Sequence, residues 1–245
     1  MSSVTSNAVV RRPRAFVRVA GPDACDFPQR MVSNDVAALA AGESCDALLL
    51  TPKARVIAPL RVLRRGDEDF LLSTEPELGE VVRGRLLRAR FAAKAEIEPE
   101  EHEAWLPLDG EEVLDERPPG EEVDEPAYER WRIEAGIPQW GHELDDQVLP
   151  AEAGLTETHV SFTKGCYPGQ EPIARQHYRG KVNRRLRVLD VDGAASPGDE
   201  VVHAGKTVGR ITSAVAGLAL GYVRTEVPDD ALVQVGGRSA RLRRD

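Results

Sequence analysis

Cys166 stands in the densest chemical segment of the chain, Phe162-Thr163-Lys164-Gly165-Cys166-Tyr167-Pro168-Gly169-Gln170-Glu171. Two glycines and a proline around one cysteine force a tight, non-repetitive backbone, which predicts a turn position for Cys166. A turn cysteine can be presented to a ligand. The nearby cations Lys164 and Arg175 favour its thiolate, the reactive and metal-binding form. The same pattern also allows a small hydrophobe packed under the loop. With Cys25 and Cys45 the cysteines number three and show no CxxC spacing, so neither a disulfide framework nor a zinc knuckle is expected, and no metal ligand is assigned.

The elements that must position this segment are readable from period and punctuation. Ala15 to Val19 alternates as a half-buried strand, and Gly21-Pro22-Asp23 opens a short helix. Two β-rich runs, Asp46 to Thr51 and Arg55 to Leu63, flank Pro52 and Lys53, and a turn at Arg65-Gly66-Asp67 leads to a strand through Asp69 to Leu72. Leu78, Val81, Val82, Leu86 and Leu87 fall at helical spacing between Pro76 and Phe91, and a strand near Lys94 to Glu98 follows. Asp109 to Pro126, with Pro118-Pro119-Gly120, reads as an exposed connection, and Tyr128 to Ala135 as a helix capped by Gly136. After Arg184, five short runs (186–191, 200–202, 207–211, 218–223 and 232–235) imply a small all-β barrel or sandwich. Only the terminal residues read as disordered.

Hydrophobic residues at 41% and charged residues at 30% match a soluble globular chain, long enough at 245 residues for two or three small domains. No run approaches the roughly 18 apolar residues of a membrane span. Met1 to Asn7 lacks the apolar stretch of a secretory signal, so a cytoplasmic protein with no membrane partner is expected. The net charge of −9 opposes nonspecific nucleic-acid binding, but the charge is uneven. Glu96 to Glu125 holds fourteen Asp/Glu against Arg117 alone. From Lys164 to Arg187 seven cations face only Glu171, which points to an anionic ligand or to a solvated basic face.

Lys164-Gly165-Cys166-Tyr167-x-Gly169-Gln170-Glu171 resembles the K-G-C-Y-x-G-Q-E signature of the YgfZ-type folate-binding proteins, within the glycine-cleavage T-protein (aminomethyltransferase-like) superfamily. Gly21-Pro22-Asp23-Ala24, Ser33-Asn34-Asp35-Val36 and Leu48-Leu49-Leu50-Thr51-Pro52-Lys53 are similar to that superfamily's N-terminal landmarks. Arg132-Ile133-Glu134-Ala135-Gly136-Ile137-Pro138, Glu143-Leu144-Asp145 and Pro150 resemble its folate segment. Gly209-Arg210-Ile211-Thr212-Ser213 and Gly217-Leu218-Ala219-Leu220-Gly221-Tyr222-Val223 resemble its C-terminal barrel. The likeness covers residues 15 to 240.

The resemblance implies an α+β fold: a ring of two α+β units around a folate slot, plus a small C-terminal β-barrel. The implied division is a discontinuous folate-binding domain at 1–50 and 120–183, an inserted ferredoxin-like domain with the acidic linker at 51–119, and the barrel at 184–245. It implies tetrahydrofolate as cofactor, with Glu134 accepting from the pterin, Arg175, Lys164, Tyr167 and Gln170 completing the binding set, and Cys166 as the key thiol. Without the resemblance, Glu134 reads as a solvated helix carboxylate; Tyr167, Trp131 and Trp140 read equally as pterin walls or as core. The superfamily's transferases carry an aspartate in the strand equivalent to Arg55 to Leu60, where this chain has Ala58 or Pro59. Neither side chain can stabilise a developing cation.

The expected function is therefore a tetrahydrofolate-binding accessory protein for assembly or repair of iron-sulfur enzymes, with iron-sulfur client or assembly proteins as partners. A folate-dependent aminomethyl- or demethyltransferase is the first alternative. A noncatalytic RNA-binding or tRNA-modification-associated module using Arg175 to Arg187 is the second. Direct nucleic-acid binding is not expected, because the chain is acidic and lacks RRM, KH and zinc-finger signatures.

Overall fold

The computed structural model describes residues 7–244. Segment 1–6, on which most of the signal-sequence and terminal-disorder readings fall, and residue 245 lie outside the described residues.

The chain runs through β1 (Ala8–Arg12), β2 (Ala15–Ala20), α1 (Asp26–Met31), β3 (Ser44–Leu50), β4 (Val56–Gly66), β5 (Asp69–Thr74), α2 (Gly79–Ala89) and β6 (Glu96–Glu100). Next come β7 (Ala104–Pro107), β8 (Val113–Leu114), β9 (Glu121–Glu122), α3 (Glu125–Glu134), α4 (Thr156–His159) and α5 (Gln170–Arg179). The last part is β10 (Arg184–Val191), β11 (Glu200–His203), β12 (Lys206–Val215), β13 (Leu218–Arg224), β14 (Leu232–Val235) and β15 (Arg238–Leu242).

An antiparallel sheet in the order β3-β4-β5-β2-β6 forms the first layer. In β4, Val56, Ala58, Leu60 and Val62 are buried while Ile57, Pro59 and Arg61 are half-buried, the two-residue period of a strand with one face on a core. Leu78, Val82 and Leu86 close that core from the α2 side, whereas Val81 is 45% exposed, so the apolar stripe is narrower than its sequence suggests. β3 pairs with β4 from Ser44↔Leu63 to Leu50↔Val56. The expected boundary after residue 50 falls between β3 and β4, which pair with each other in this sheet.

The acidic segment is mostly exposed, but it is not a free connection. Its two-residue strands β8 and β9 join the sheet β8-β7-β1-β9 through Trp105↔Val113 and Val9↔Glu122. Strands this short leave no alternation to read. α3 begins earlier than its apolar pattern, because the Asp124 side chain accepts from the Ala127 N–H and Pro126 suits the first turn. Gly136, at φ +68°, closes the helix as expected.

The C-terminal part is a closed barrel in the order β10-β13-β12-β11-β14-β15. Its sixth strand, β15, buries only Ala240 and Leu242 among arginines and serine, which hid it from hydrophobic patterning. Val191, Val201, Ile211, Val223, Val235 and Leu242 fill the interior. Ile133 of α3 packs on Leu218 and Leu220 outside it. Among the described residues no helix is long and apolar enough to cross a membrane.

Candidate functional site

Two anchors hold the loop that presents Cys166. Lys164 is 8% exposed, and its Nζ donates to the backbone carbonyls of Gln29 (2.6 Å), Val32 (2.8 Å) and Asn34 (2.7 Å), at the end of α1 and just beyond. All three ammonium N–H groups are thereby engaged. Burial pulls this lysine down to about 8, with Asp35 and Cys45 opposing. The second anchor is Gly169, at φ +87°, where a Cβ would stand 2.7 Å from the Thr51 carbonyl oxygen and 3.1 Å from the Ala54 Cα. Ala54 is itself left-handed at φ +59°. The loop and the turn after β3 interlock at a contact that only glycine permits.

Between these anchors Cys166 is exposed, so it is not a hydrophobe packed under the loop. Tyr167 turns the other way. It is 7% exposed within the cluster of Leu48, Leu50, Val56, Leu144 and Ile173, and burial pushes its hydroxyl up to about 12. That hydroxyl is buried without a hydrogen-bond partner. Gln170 opens α5 and is half-buried.

Several sequence expectations are corrected here. Lys164 cannot serve as a ligand cation, because its donors are spent on protein carbonyls. Arg175 pairs with Glu171 one turn back at 2.6 Å, so neither cation is committed to the Cys166 thiol. Tyr167 offers no open face for a flat ring, and Trp131 lies half-buried against Tyr128 with ring centroids 5.8 Å apart. α5 itself was not expected: glycines and prolines masked it, although the Glu171/Arg175 spacing and Gly180 after Arg179 were helix signals.

α5 separates two cavities. One, of about 620 Å³, lies among Pro150, Glu152, Thr156, His177, Lys181 and Leu186. The other, of about 570 Å³, lies between α5 and the turn after β3, among Lys53, Arg55, Leu149, Pro172, Arg175 and Arg179. Neither includes Glu134, which ends α3 with its side chain 47% exposed and its carboxylate 3.7 Å from Arg243 of the barrel's last segment. Five of the six expected site residues thus share one loop and helix, and Glu134 stands apart from them.

No site role was expected for the pair that joins α3 to the barrel. The guanidinium of Arg132 reaches Glu143 at 2.7 Å, both side chains being 0% exposed, and also contacts Glu129, the Ile137 carbonyl and Ser213. Glu143 accepts in addition from Thr212 and Ser213, each at 2.6 Å, and Tyr222 donates to its backbone carbonyl at 2.9 Å. Most of the resembling segments from Arg132 to Tyr222 therefore meet in one buried polar network. Its signal was available as an Arg and a Glu inside two apolar-flanked motifs.

The family model of the CAF17 C-terminal β-barrel domain matches residues 183–245. The iron-sulfur cluster assembly factor IBA57, mitochondrial, of Mus musculus is 26% identical over 272 residues, covering 87% of this chain and 76% of that protein. A chloroplast protein of Arabidopsis thaliana described as a transferase is 36% identical over 106 residues, 41% of this chain, and the match spans only 24% of that protein's length. The crystal structure of the glycine cleavage system aminomethyltransferase T from Bartonella henselae superposes with a TM-score of 0.84 at 18% identity, covering 98% of this chain and 85% of that one. The α+β fold with its closed C-terminal barrel is thus shared with that aminomethyltransferase structure.

Proposed function

We propose that this chain is a YgfZ-type accessory protein, cytoplasmic and tetrahydrofolate-binding, that supports assembly or repair of iron-sulfur enzymes through Cys166. The observation that carries this reading is the exposed Cys166 on a loop fixed on both sides by Lys164 and Gly169. A fixed, accessible thiol suits transient ligation to a cluster or to an iron-sulfur client or assembly protein. Likeness over most of the chain to a protein described as an iron-sulfur cluster assembly factor supports the same role.

The residues fit a reduced folate in part. The half-exposed Glu134 carboxylate, held only at 3.7 Å by Arg243, can accept from a pterin. The Tyr167 hydroxyl is buried without a partner, a polar group left unsatisfied beside the loop, and Gln170 and Arg175 lie on the helix beyond it. Bound tetrahydrofolate would supply a carrier for one-carbon units.

The T-protein fold favours one second reading, an aminomethyl- or demethyltransferase. Against it stands β4, where Ala58 is fully buried in the core and Pro59 occupies the half-buried face. β4 itself carries no Asp or Glu. Complementation separates the two: in cells lacking the protein, Cys166→Ala and Cys166→Ser should fold yet fail to restore iron-sulfur enzyme activity. Full rescue by Cys166→Ala, or methylene transfer in a reconstituted glycine-cleavage assay, would overturn the proposal.

A further inference from the structure

The cavity between α5 and the turn after β3 differs in character from its surroundings. Four of its eight lining residues are cations, Lys53, Arg55, Arg175 and Arg179; the others are Leu149, Pro172, Gln176 and Gly180. In a chain of net charge −9 this is a strong local reversal of sign. Arg175 shares its charge with Glu171, and Arg55 donates to the backbone carbonyl of Gln147. Lys53 and Arg179 have no carboxylate partner among the described residues. The turn that carries Lys53 is the one that interlocks with Gly169, three residues beyond Cys166. The groove is therefore built into the mount of the thiol.

We infer that this groove docks an acidic segment of the protein that Cys166 serves. The inference rests on the accessory-protein reading above and names the partner's chemistry. The cations sit on two elements, and Arg175 and Arg179 are one helical turn apart, about 6 Å along α5. Four cations on two elements, two of them a helical turn apart, suit several carboxylates spaced along a peptide better than one small anion. Leu149 and Pro172 give the groove an apolar floor that an Asp/Glu-rich segment with an interleaved aliphatic residue would cover. The groove wall has no aromatic ring on which bases could stack, and the acidic segment elsewhere on the chain repels a continuous phosphate backbone.

Fluorescence anisotropy of a labelled peptide of alternating Glu and Leu, measured on the full chain, tests the assignment. Wild type and Cys166→Ala should bind it equally, with affinity falling steeply between about 50 and 500 mM salt as exposed charges are screened. The double variant Lys53→Glu/Arg179→Glu should bind at least about tenfold more weakly at low salt. Lys53→Gln/Arg179→Gln provides the milder control should charge reversal disturb folding, and should lie between the two. Because binding is read without using the thiol, failure of the Cys166 role leaves this result intact, and the reverse also holds. No binding at 50 mM salt, equal binding by wild type and both variants, or tighter binding of a single-stranded oligonucleotide of equal charge would overturn the inference.

Discussion

The guanidinium of Arg132 and the carboxylate of Glu143 meet at 2.7 Å with no solvent on either side chain, bridging α3 and the loop beyond it. Glu143 then passes to the barrel through Thr212 and Ser213. A buried ion pair is weak evidence of net stabilisation, because two charges must be desolvated, but removing one partner strands the other. Glu143→Gln or Arg132→Met should each cost about 3–5 kcal/mol, measured as a lowered urea midpoint. The combined replacement of both should cost less than the sum of the two, since the charge then left without its partner is the Glu129 carboxylate, which is 23% exposed. Additive losses would mean that the two groups do not act as a pair.

Gly169→Ala tests the interlock beside the thiol. The new Cβ would meet the Thr51 carbonyl at 2.7 Å while φ stays at +87°. Strain of this kind costs about 1–3 kcal/mol, and relief requires the loop or the 51–54 turn to move. The variant should unfold at lower temperature and alkylate Cys166 at a changed rate. Gly165→Ala, where a Cβ meets nothing within 4 Å, is the control and should change little.

The contrast between these glycines also shows where sequence stops informing. β2, β3, β4, β5, β6 and the C-terminal run of strands were legible because one face of each strand or hairpin is apolar. β1, β7 and the paired ends of the acidic segment were not, since their partners are distant in the chain and their apolar runs are short. At the site, residue types located Cys166 and its turn, but the destination of Lys164 depends on three carbonyls some 130 residues away. A side chain's orientation toward remote backbone leaves no local pattern. The resemblance carried the overall fold, which length and periodicity alone could not.

Lys164 gives a pH test. Its pKa falls from 10.5 to about 8 on folding, because burial disfavours the charge. Below pH 8 both states are charged and the burial penalty is fully present. Between pH 8 and 10.5 the unfolded chain holds a proton that the folded chain has released, so this group's contribution to stability rises with pH across that window. Cys45 works oppositely above pH 9, since burial and then Asp46 push its thiol up to about 11. Comparison with Lys164→Met isolates the lysine. At pH 7 that variant should lose about 2 kcal/mol or more from its stranded carbonyls, and the gap to wild type should widen by pH 9.

Glu134→Gln keeps the shape of the α3 terminus and removes only the charge. If Glu134 accepts from a pterin, calorimetry with tetrahydrofolate should show affinity lower by at least about tenfold, the lower end of what a charged hydrogen bond contributes. Arg243 should not compensate, because it also holds Asp190 at 2.8 Å. Unchanged affinity would leave Glu134 as a surface carboxylate and detach folate binding from this segment.

Alkylation of the folded protein with iodoacetamide distinguishes Cys166 from the other thiols. Cys166 is exposed, whereas Cys25 and Cys45 are half-buried. A thiol pushed up to about 11, as Cys45 is, is only about one part in a thousand ionised at pH 8, and the thiolate is the form that reacts. Peptide mapping after a brief pulse should therefore find label on Cys166 first and on Cys45 last. Cys166→Ala removes no buried volume, so its melting temperature should stay within about 2 °C of wild type, in the range of surface substitutions. Loss of cellular function without loss of stability is the outcome that a presented thiol requires. A destabilised Cys166→Ala, or label arriving first on Cys25, would show that the loop closes over Cys166 in solution and that its role is structural.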